Sequence, residues 1–343
     1  MTSTIDEAPS QSKPLITVLV VNRNGETFLK NCIESVLSST YYPLELLVID
    51  CASTDGSRGV VADYNRAKCI PLSSDPGFAA ANNLGATLAR GEFVLLLNND
   101  TFLLPDTIDK LASGLARNDA AAIVPVQYDW TGRYAGCGAT VPWAGRATGR
   151  LLSKWGSYAS QEPTYIAVAC CLVRTQTLRR LPLATALGFY EDIEWSLRLR
   201  QHGLRLLCET ETLFFHKIGG SSRDSPRLAY YIGRNPLATC GMAGKPGEVV
   251  ALLPLLIRYF LVQLGYFLVR AHRTDCATAL IRGGISTVIT LPRFVSEGKR
   301  LRGFAKVPPV LLRSVANGLA YERYSRQRVP ERVEAPRCLL GRG

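Results

Sequence analysis

A chain of 343 residues, 47% hydrophobic, has room for a full α/β core and a second, smaller unit. Its polar opening, MTSTIDEAPSQSKP, does not read as a secretory signal peptide, and ten cysteines without a CxxC pair read as reduced buried thiols rather than a disulfide or zinc framework. The net charge of +12 is uneven: residues 1–222 carry 20 basic against 21 acidic side chains, and residues 223–343 carry 20 against 7. A boundary near 222 follows, with a C-terminal part that seeks an anionic partner.

From residue 15 the chain alternates strand and helix. The apolar run at 16–21 ends in the turn Asn22-Arg23-Asn24-Gly25, and Phe28, Leu29, Cys32, Ile33, Val36 and Leu37 then form one helical stripe. A second strand, 44–49, stops at Asp50, and Ser53 to Ser57 supplies turn and cap residues. A short third strand near 69–72 leads to Gly77-Phe78 and an alanine-rich helix. The fourth, 93–97, is apolar without interruption and is expected to be buried on both faces. This order predicts a mostly parallel sheet flanked by helices. In such sheets ligands bind beyond the carboxyl ends of the strands, where Asn22, Asp50, Gly77 and Asn98-Asn99-Asp100 stand. Further strands are expected at 121–126, 165–173 and 204–208, with an irregular stretch from 127 to about 161 and a helix from Glu191 to about His202.

Five blocks in order, VLVVNRNG (18–25), VIDCASTDGS (48–57), DPGFAAANNLGATLARGEFVLLLNNDT (75–101), GFYEDIEWSLRLRQHG (188–203) and FFHKIGGSS (214–222), resemble family 2 glycosyltransferases, and among them the bacterial rhamnosyltransferase-like branch. The resemblance implies the nucleotide-diphospho-sugar transferase (GT-A) fold over residues 15–222. It implies Asp192, with Glu191 second, as the base that deprotonates an acceptor hydroxyl in an inverting displacement. Asn22, Asn24, Asp50, Gly77, Phe78, Asn83 and Asn99 would hold the nucleotide sugar. Asp100 and His216 would hold a divalent metal, Mg2+ or Mn2+, that neutralises the leaving diphosphate. Two features depart from the pattern: Cys51 follows Asp50 where asparagine is usual, and Asp100 is the only acid in Asn98-Asn99-Asp100.

Beyond residue 222, Val249 to Ile257 and Tyr259 to Val269 make a nearly continuous apolar stretch with Arg258 near its middle. A charge there makes spanning a bilayer costly, so residues 223–320 are expected to be helices lying on an anionic membrane surface, with residues 321–343 a loose charged tail. The basic excess lies among apolar helices and no nucleic-acid motif is present, so a nucleic-acid partner is not expected. The whole reads as a cytoplasmic enzyme, peripheral to the inner face of the plasma membrane, that moves a sugar, rhamnose from dTDP-rhamnose being favoured, to a lipid-linked or cell-envelope glycan. The competing reading is a non-catalytic nucleotide-sugar or lipid-binding protein.

Overall fold

The computed structural model describes residues 13–136, 163, 165–217, 225–303 and 329–339. Strands β1 (Ile16–Asn22), β2 (Leu44–Asp50), β3 (Ala67–Pro71) and β4 (Phe93–Asn98) alternate with helices α1 (Glu26–Leu37), α2 (Ser57–Ala62) and α3 (Phe78–Leu88). These four strands are parallel, in the order β3-β2-β1-β4. Successive side chains point to opposite faces, so each strand feeds two cores. Val18, Val20, Val48 and Leu95 pack beneath Leu29, Ile33 and Val36 of α1. Leu19, Leu47, Ile49 and Leu96 pack with Ala79 and Ala86 of α3 on the other side.

Beyond β4 the sheet becomes mixed. Strand β8 (Cys170–Arg174) is antiparallel to both β4 and β6 (Ala122–Asp129), and β9 (Leu206–His216) then runs parallel to β6. Short β5 (Thr101–Leu103) closes this edge against β9, and β7 (Tyr134–Gly136) pairs with β6. The helices here are α4 (Thr107–Asn118), α5 (Thr175–Arg180) and α6 (Glu191–Gln201).

Three strand expectations need correction. The predicted strand at 165–173 is regular only from Cys170; of the residues before it, Tyr165, Ala167, Val168 and Ala169 line a cleft and Ile166 turns into the core. The one at 204–208 continues to His216: the polar run at 209–211 lies opposite a register shift between Pro125 and Val126 and does not break the ladder. The irregular stretch begins later than Gln127, since 127–136 lies largely in β6 and β7; residues 137–162 are outside the described set.

Helices α7 (Pro226–Ala243), α8 (Pro246–Gly265, continued by a π turn over Tyr266–Arg270) and α9 (Thr274–Arg302) follow. Close approach of α7 and α9 is set by glycine: a Cβ at Gly283 would lie 2.0 Å from the Tyr230 carbonyl oxygen, and one at Gly233 2.1 Å from that of Leu280. The charge boundary near 222 is no packing boundary, for Leu252, Leu255 and Leu256 of α8 share a core with Tyr190, Ile193 and Leu197. The tail is not loose where it is described: residues 329–339 pack on the β6–β7 ribbon, with Tyr128 donating to the Pro330 carbonyl (2.7 Å) and Val333 to that of Gly132 (2.8 Å). The tip of that tail, the N-terminal 1–12 and the stretch 304–328 lie outside the described residues, as does most of the loop after His216. Among the described residues eight cysteines are free, but Cys208 is disulfide-bonded, which departs from the all-reduced expectation.

Candidate active site

Parallel pairing brings the ends of β1, β2 and β4 side by side, and the polar residues that end them form a connected network. Asn22 donates from Nδ2 to Asp50 (3.1 Å) and to Ser53 Oγ (3.2 Å), and its Oδ1 accepts from Asn99 Nδ2 (2.7 Å). Gly25 must be glycine for this, since a Cβ would fall 2.1 Å from Asn99 Nδ2 and 2.3 Å from Asn22 Oδ1. Asp50 is buried, which opposes its ionisation, but donors from Ser53, Arg58 and Asn22 outweigh that and hold its carboxyl below the usual carboxylate range. Asn24 accepts from the Thr54 N–H (2.8 Å), tying the β1 turn to the β2 turn. Gly77 starts α3 with φ 87°, and Phe78 enters the cleft. Asn83 does not come to this edge: its amide both donates to and accepts from the Leu183 backbone, each at 2.9 Å.

The cleft itself, of about 490 Å³, is lined by Phe78, Asn98, Gln127, Glu191, Asp192 and His216 among others. Register explains one part of it. Thr101 pairs with His216 across the β5–β9 ladder, so the residue before Thr101 meets the histidine: His216 Nε2 stands 3.1 Å from Asp100 Oδ1. Gln127 Nε2 stands 3.0 Å from His216 Nδ1. Sequence reasoning passed over Gln127; its only signal was its place at the end of an apolar strand.

Among the described residues no three acidic, histidine or cysteine side chains gather as a complete metal site. The chemistry of the donors present nevertheless fits a hard cation that keeps most of its coordination for substrate phosphate. Asp100 offers carboxylate and His216 an imidazole. Asn98 adds a buried Oδ1 with no hydrogen-bond partner. Ligation through Nε2 needs a proton on Nδ1, which Gln127 can accept by turning its amide.

The second part is the start of α6. Gly188 (φ 68°) and Tyr190 (φ 73°) both take left-handed backbone, turning the chain so that Glu191 and Asp192 open the helix facing the cleft. Burial pushes the Glu191 carboxyl up to about 7, with the neighbouring Asp192 adding to the rise, and one of its oxygens has no partner. Burial also pushes Asp192 up to about 6, against the pull of the Ile193 N–H at 2.8 Å. Glu194, one turn on, differs: it is locked to Arg198 at 2.9 Å in the interior. So α6 carries one acid committed to structure and two held ready for protons.

This turn is gripped from α7, a contact not foreseen from sequence. Asn235, fully buried, donates to the carbonyls of Phe189 (2.5 Å) and Leu187 (3.3 Å), and Arg234 donates to those of Leu187 and Ala186, both at 3.1 Å. From α8, the Tyr259 hydroxyl meets that of Tyr190 at 3.2 Å.

The fold so defined is the GT-A fold of nucleotide-sugar transferases, with a helical C-terminal part. Its structural likenesses include TarS of S. aureus, residues 1–349 (TM-score 0.54, 16% identity, 91% of each chain), and the mannosyltransferase PcManGT of Pyrobaculum calidifontis, solved with GDP-Man and Mn2+ (TM-score 0.55, 19% identity, 95% of this chain and 90% of that one). Residues 17–140 match the family described as Glycosyl transferase family 2. Curated relatives include the glycosyltransferase GlyG of Streptococcus pneumoniae, 29% identical over 121 residues (34% of this chain, 40% of the relative). Another is the O-antigen biosynthesis protein RfbC of Myxococcus xanthus, 26% identical over 248 residues (65% of this chain, 19% of the relative). The matches thus span less than half the length of these relatives. Together they show that residues 17–140 are similar to a family 2 glycosyltransferase domain.

Proposed function

We propose that the protein is an inverting glycosyltransferase that moves a sugar from a nucleoside diphosphate to a hydroxyl of a lipid-linked or cell-envelope glycan, at the cytoplasmic face of the plasma membrane. The observation that carries this reading is the Glu191–Asp192 pair: two carboxyl groups with raised proton affinity in the same cleft as His216, which Asp100 meets at 3.1 Å. A general base works best when its pKa lies near the working pH, which burial achieves here for Asp192.

Asp192 takes the proton of the acceptor hydroxyl as that oxygen attacks the anomeric carbon, and the diphosphate departs from the opposite face, inverting the centre. Glu191, its neighbour, shares the proton inventory, so the two titrate as a pair. The Asn22, Asp50 and Asn99 network, with Asn24, Gly77 and Phe78 beside it, holds the nucleotide. A divalent cation held by Asp100 and His216 would supply charge neutralisation for the leaving diphosphate. One fold neighbour is solved with UDP-GlcNAc and another with GDP-Man and Mn2+; for this chain the favoured donor is dTDP-rhamnose, on the block resemblance alone. Residues 15–222 carry the chemistry and 223–320 associate with the membrane.

Nucleotide release by the purified protein, given a panel of nucleoside-diphosphate sugars and membrane lipid extract with and without Mg2+ or Mn2+, tests the reading. Metal-dependent release of one nucleotide, abolished by Asp192→Asn, is expected. Donor binding without release would turn the protein into a binding module.

A further inference from the structure

We propose that one face of the α8–α9 hairpin, bearing Ile257, Leu261, Leu268, Ile281, Ile285 and Val288, seats on the surface of a bilayer containing anionic lipid. This rests on the membrane-surface reading above and assigns it a face, a depth and a relation to the cleft.

The two helices meet along a seam. Phe260 packs against Gly284, where a Cβ would sit 3.0 Å from its ring, and Phe267 shares a cluster with Ala277 and Leu280. Rising residue numbers on α8 meet falling ones on α9, so the pair is antiparallel. Ile257, Leu261 and Leu268 follow one another at helical spacing, about one residue around from Phe260, Leu264 and Phe267. Ile281, Ile285 and Val288 stand in the same relation to Leu280 and Gly284. A step in the same sense around two antiparallel helices turns both toward the same side. The two stripes therefore form one surface, and all six residues are exposed, Ile257, Leu261 and Ile285 at 57% each. A continuous apolar surface of this kind marks an interaction face.

Charge identifies the occupant. Residues 249–270 and 276–296 contain no Asp or Glu, while Arg258, Arg270, Arg282 and Arg293 on the same two helical segments are all exposed. A second copy of the chain would bring these arginines toward their own kind, whereas lipid phosphates complement them. Depth follows from packing. The helix running from Pro246 to Arg270, 25 residues with an 18-residue window of mean hydropathy 1.8, is long and apolar enough to cross a membrane. Its inner side, however, is committed to the core around Tyr190 and to α9. Spanning would strip those contacts, so the hairpin lies in the interface with its outer face at the level of the acyl chains. The helix that offers Ile257 and Leu261 outward reaches Tyr190 inward through Tyr259. Docking thus brings the Asp192 cleft to within about one helix diameter, roughly 10 Å, of the headgroups, where a lipid-linked acceptor presents its sugar.

The experiment is sedimentation of the full chain with phosphatidylcholine vesicles, with and without phosphatidylglycerol, at low and high salt, beside light scattering and nucleotide release on a soluble acceptor. Wild type is expected to bind the anionic vesicles and to release them at high salt. Each of Arg258→Gln, Arg282→Gln and Arg293→Gln should weaken binding about fivefold, and Leu261→Glu with Ile285→Glu should abolish it while circular dichroism and soluble turnover persist. Equal binding to neutral and anionic vesicles, or none to either, overturns the proposal. So does a wild-type dimer that the glutamate pair dissociates without any vesicle binding. Loss of soluble turnover in wild type would instead count against the transferase reading alone.

Discussion

Replacing Asp192 by asparagine should damage activity and strengthen the fold at once. Burial raises the Asp192 carboxyl from 3.8 to about 6. A shift of roughly two units is worth about 3 kcal/mol for a fully dry group, and contact with water in the cleft reduces this to about 1–2 kcal/mol. The sign follows from linkage. A carboxyl whose folded pKa lies above its unfolded value binds protons more tightly when folded, so stability falls as pH rises from about 4 through about 6 and stays low above that. Asparagine cannot ionise, and it also removes the charge that helps raise Glu191. At pH 8 the variant should be more stable by about 1–2 kcal/mol, a rise in Tm of about 1.5–3 °C for a chain of this size. Near pH 4 the gain should vanish, while nucleotide release at pH 8 drops by about 10²–10⁴-fold. Thermal unfolding of both proteins across pH 4 to 8 is the assay. A variant that is less stable at pH 8, or equally stabilised at both ends, would show that Asp192 is not held in an unfavourable charged state, and the argument for a burial-tuned base would fall.

In wild type, kcat/KM should decline as pH drops below about 7 to 6, following the Glu191–Asp192 pair, and a flat profile to pH 5 would exclude both as the base. Asn235→Ala should lower kcat by about 10–100-fold with little change in KM for the donor, because it frees the turn carrying Glu191 and Asp192 without touching the nucleotide network; equal changes in kcat and donor affinity would make it a folding residue only. Gln127→Ala should raise the Mn2+ concentration for half-maximal activity about tenfold or more through the orientation of His216, and an unchanged metal requirement would remove His216 from that role. Gly25→Ala should break the Asn22–Asn99 bond and weaken donor binding measured by calorimetry, with a stability loss of about 1–2 kcal/mol; unchanged affinity would detach that network from the nucleotide.

The first half of the sheet was legible because its information is local. Unbroken apolar runs at 16–21, 44–49 and 93–97, each followed by turn residues and an amphipathic helix, admit little but buried parallel strands with crossovers. The placing of Asn22, Asp50 and Asn98-Asn99-Asp100 at one edge follows from that topology. The pairing of Asp100 with His216 does not, because it depends on the β5–β9 register, and the polar run at 209–211 concealed the length of β9. Asn83 shows the opposite failure: a polar residue at the nucleotide edge in sequence turns inward to bind Leu183, which only packing decides.

Composition alone determined that the C-terminal part is basic, helical and apolar, and residue order determined that Glu191 and Asp192 would open a helix. Tertiary structure decided their chemistry. Glu191, Asp192 and Glu194 are alike in sequence, within one turn of one helix. Arg198 neutralises the third in the interior, while Glu191 is buried and Asp192 half-buried at the cleft, with no counter-charge on either among the described residues. Proton affinity is set by solvent exclusion and by charges brought from elsewhere in the chain. Those are properties of the folded surroundings, and no local pattern encodes them.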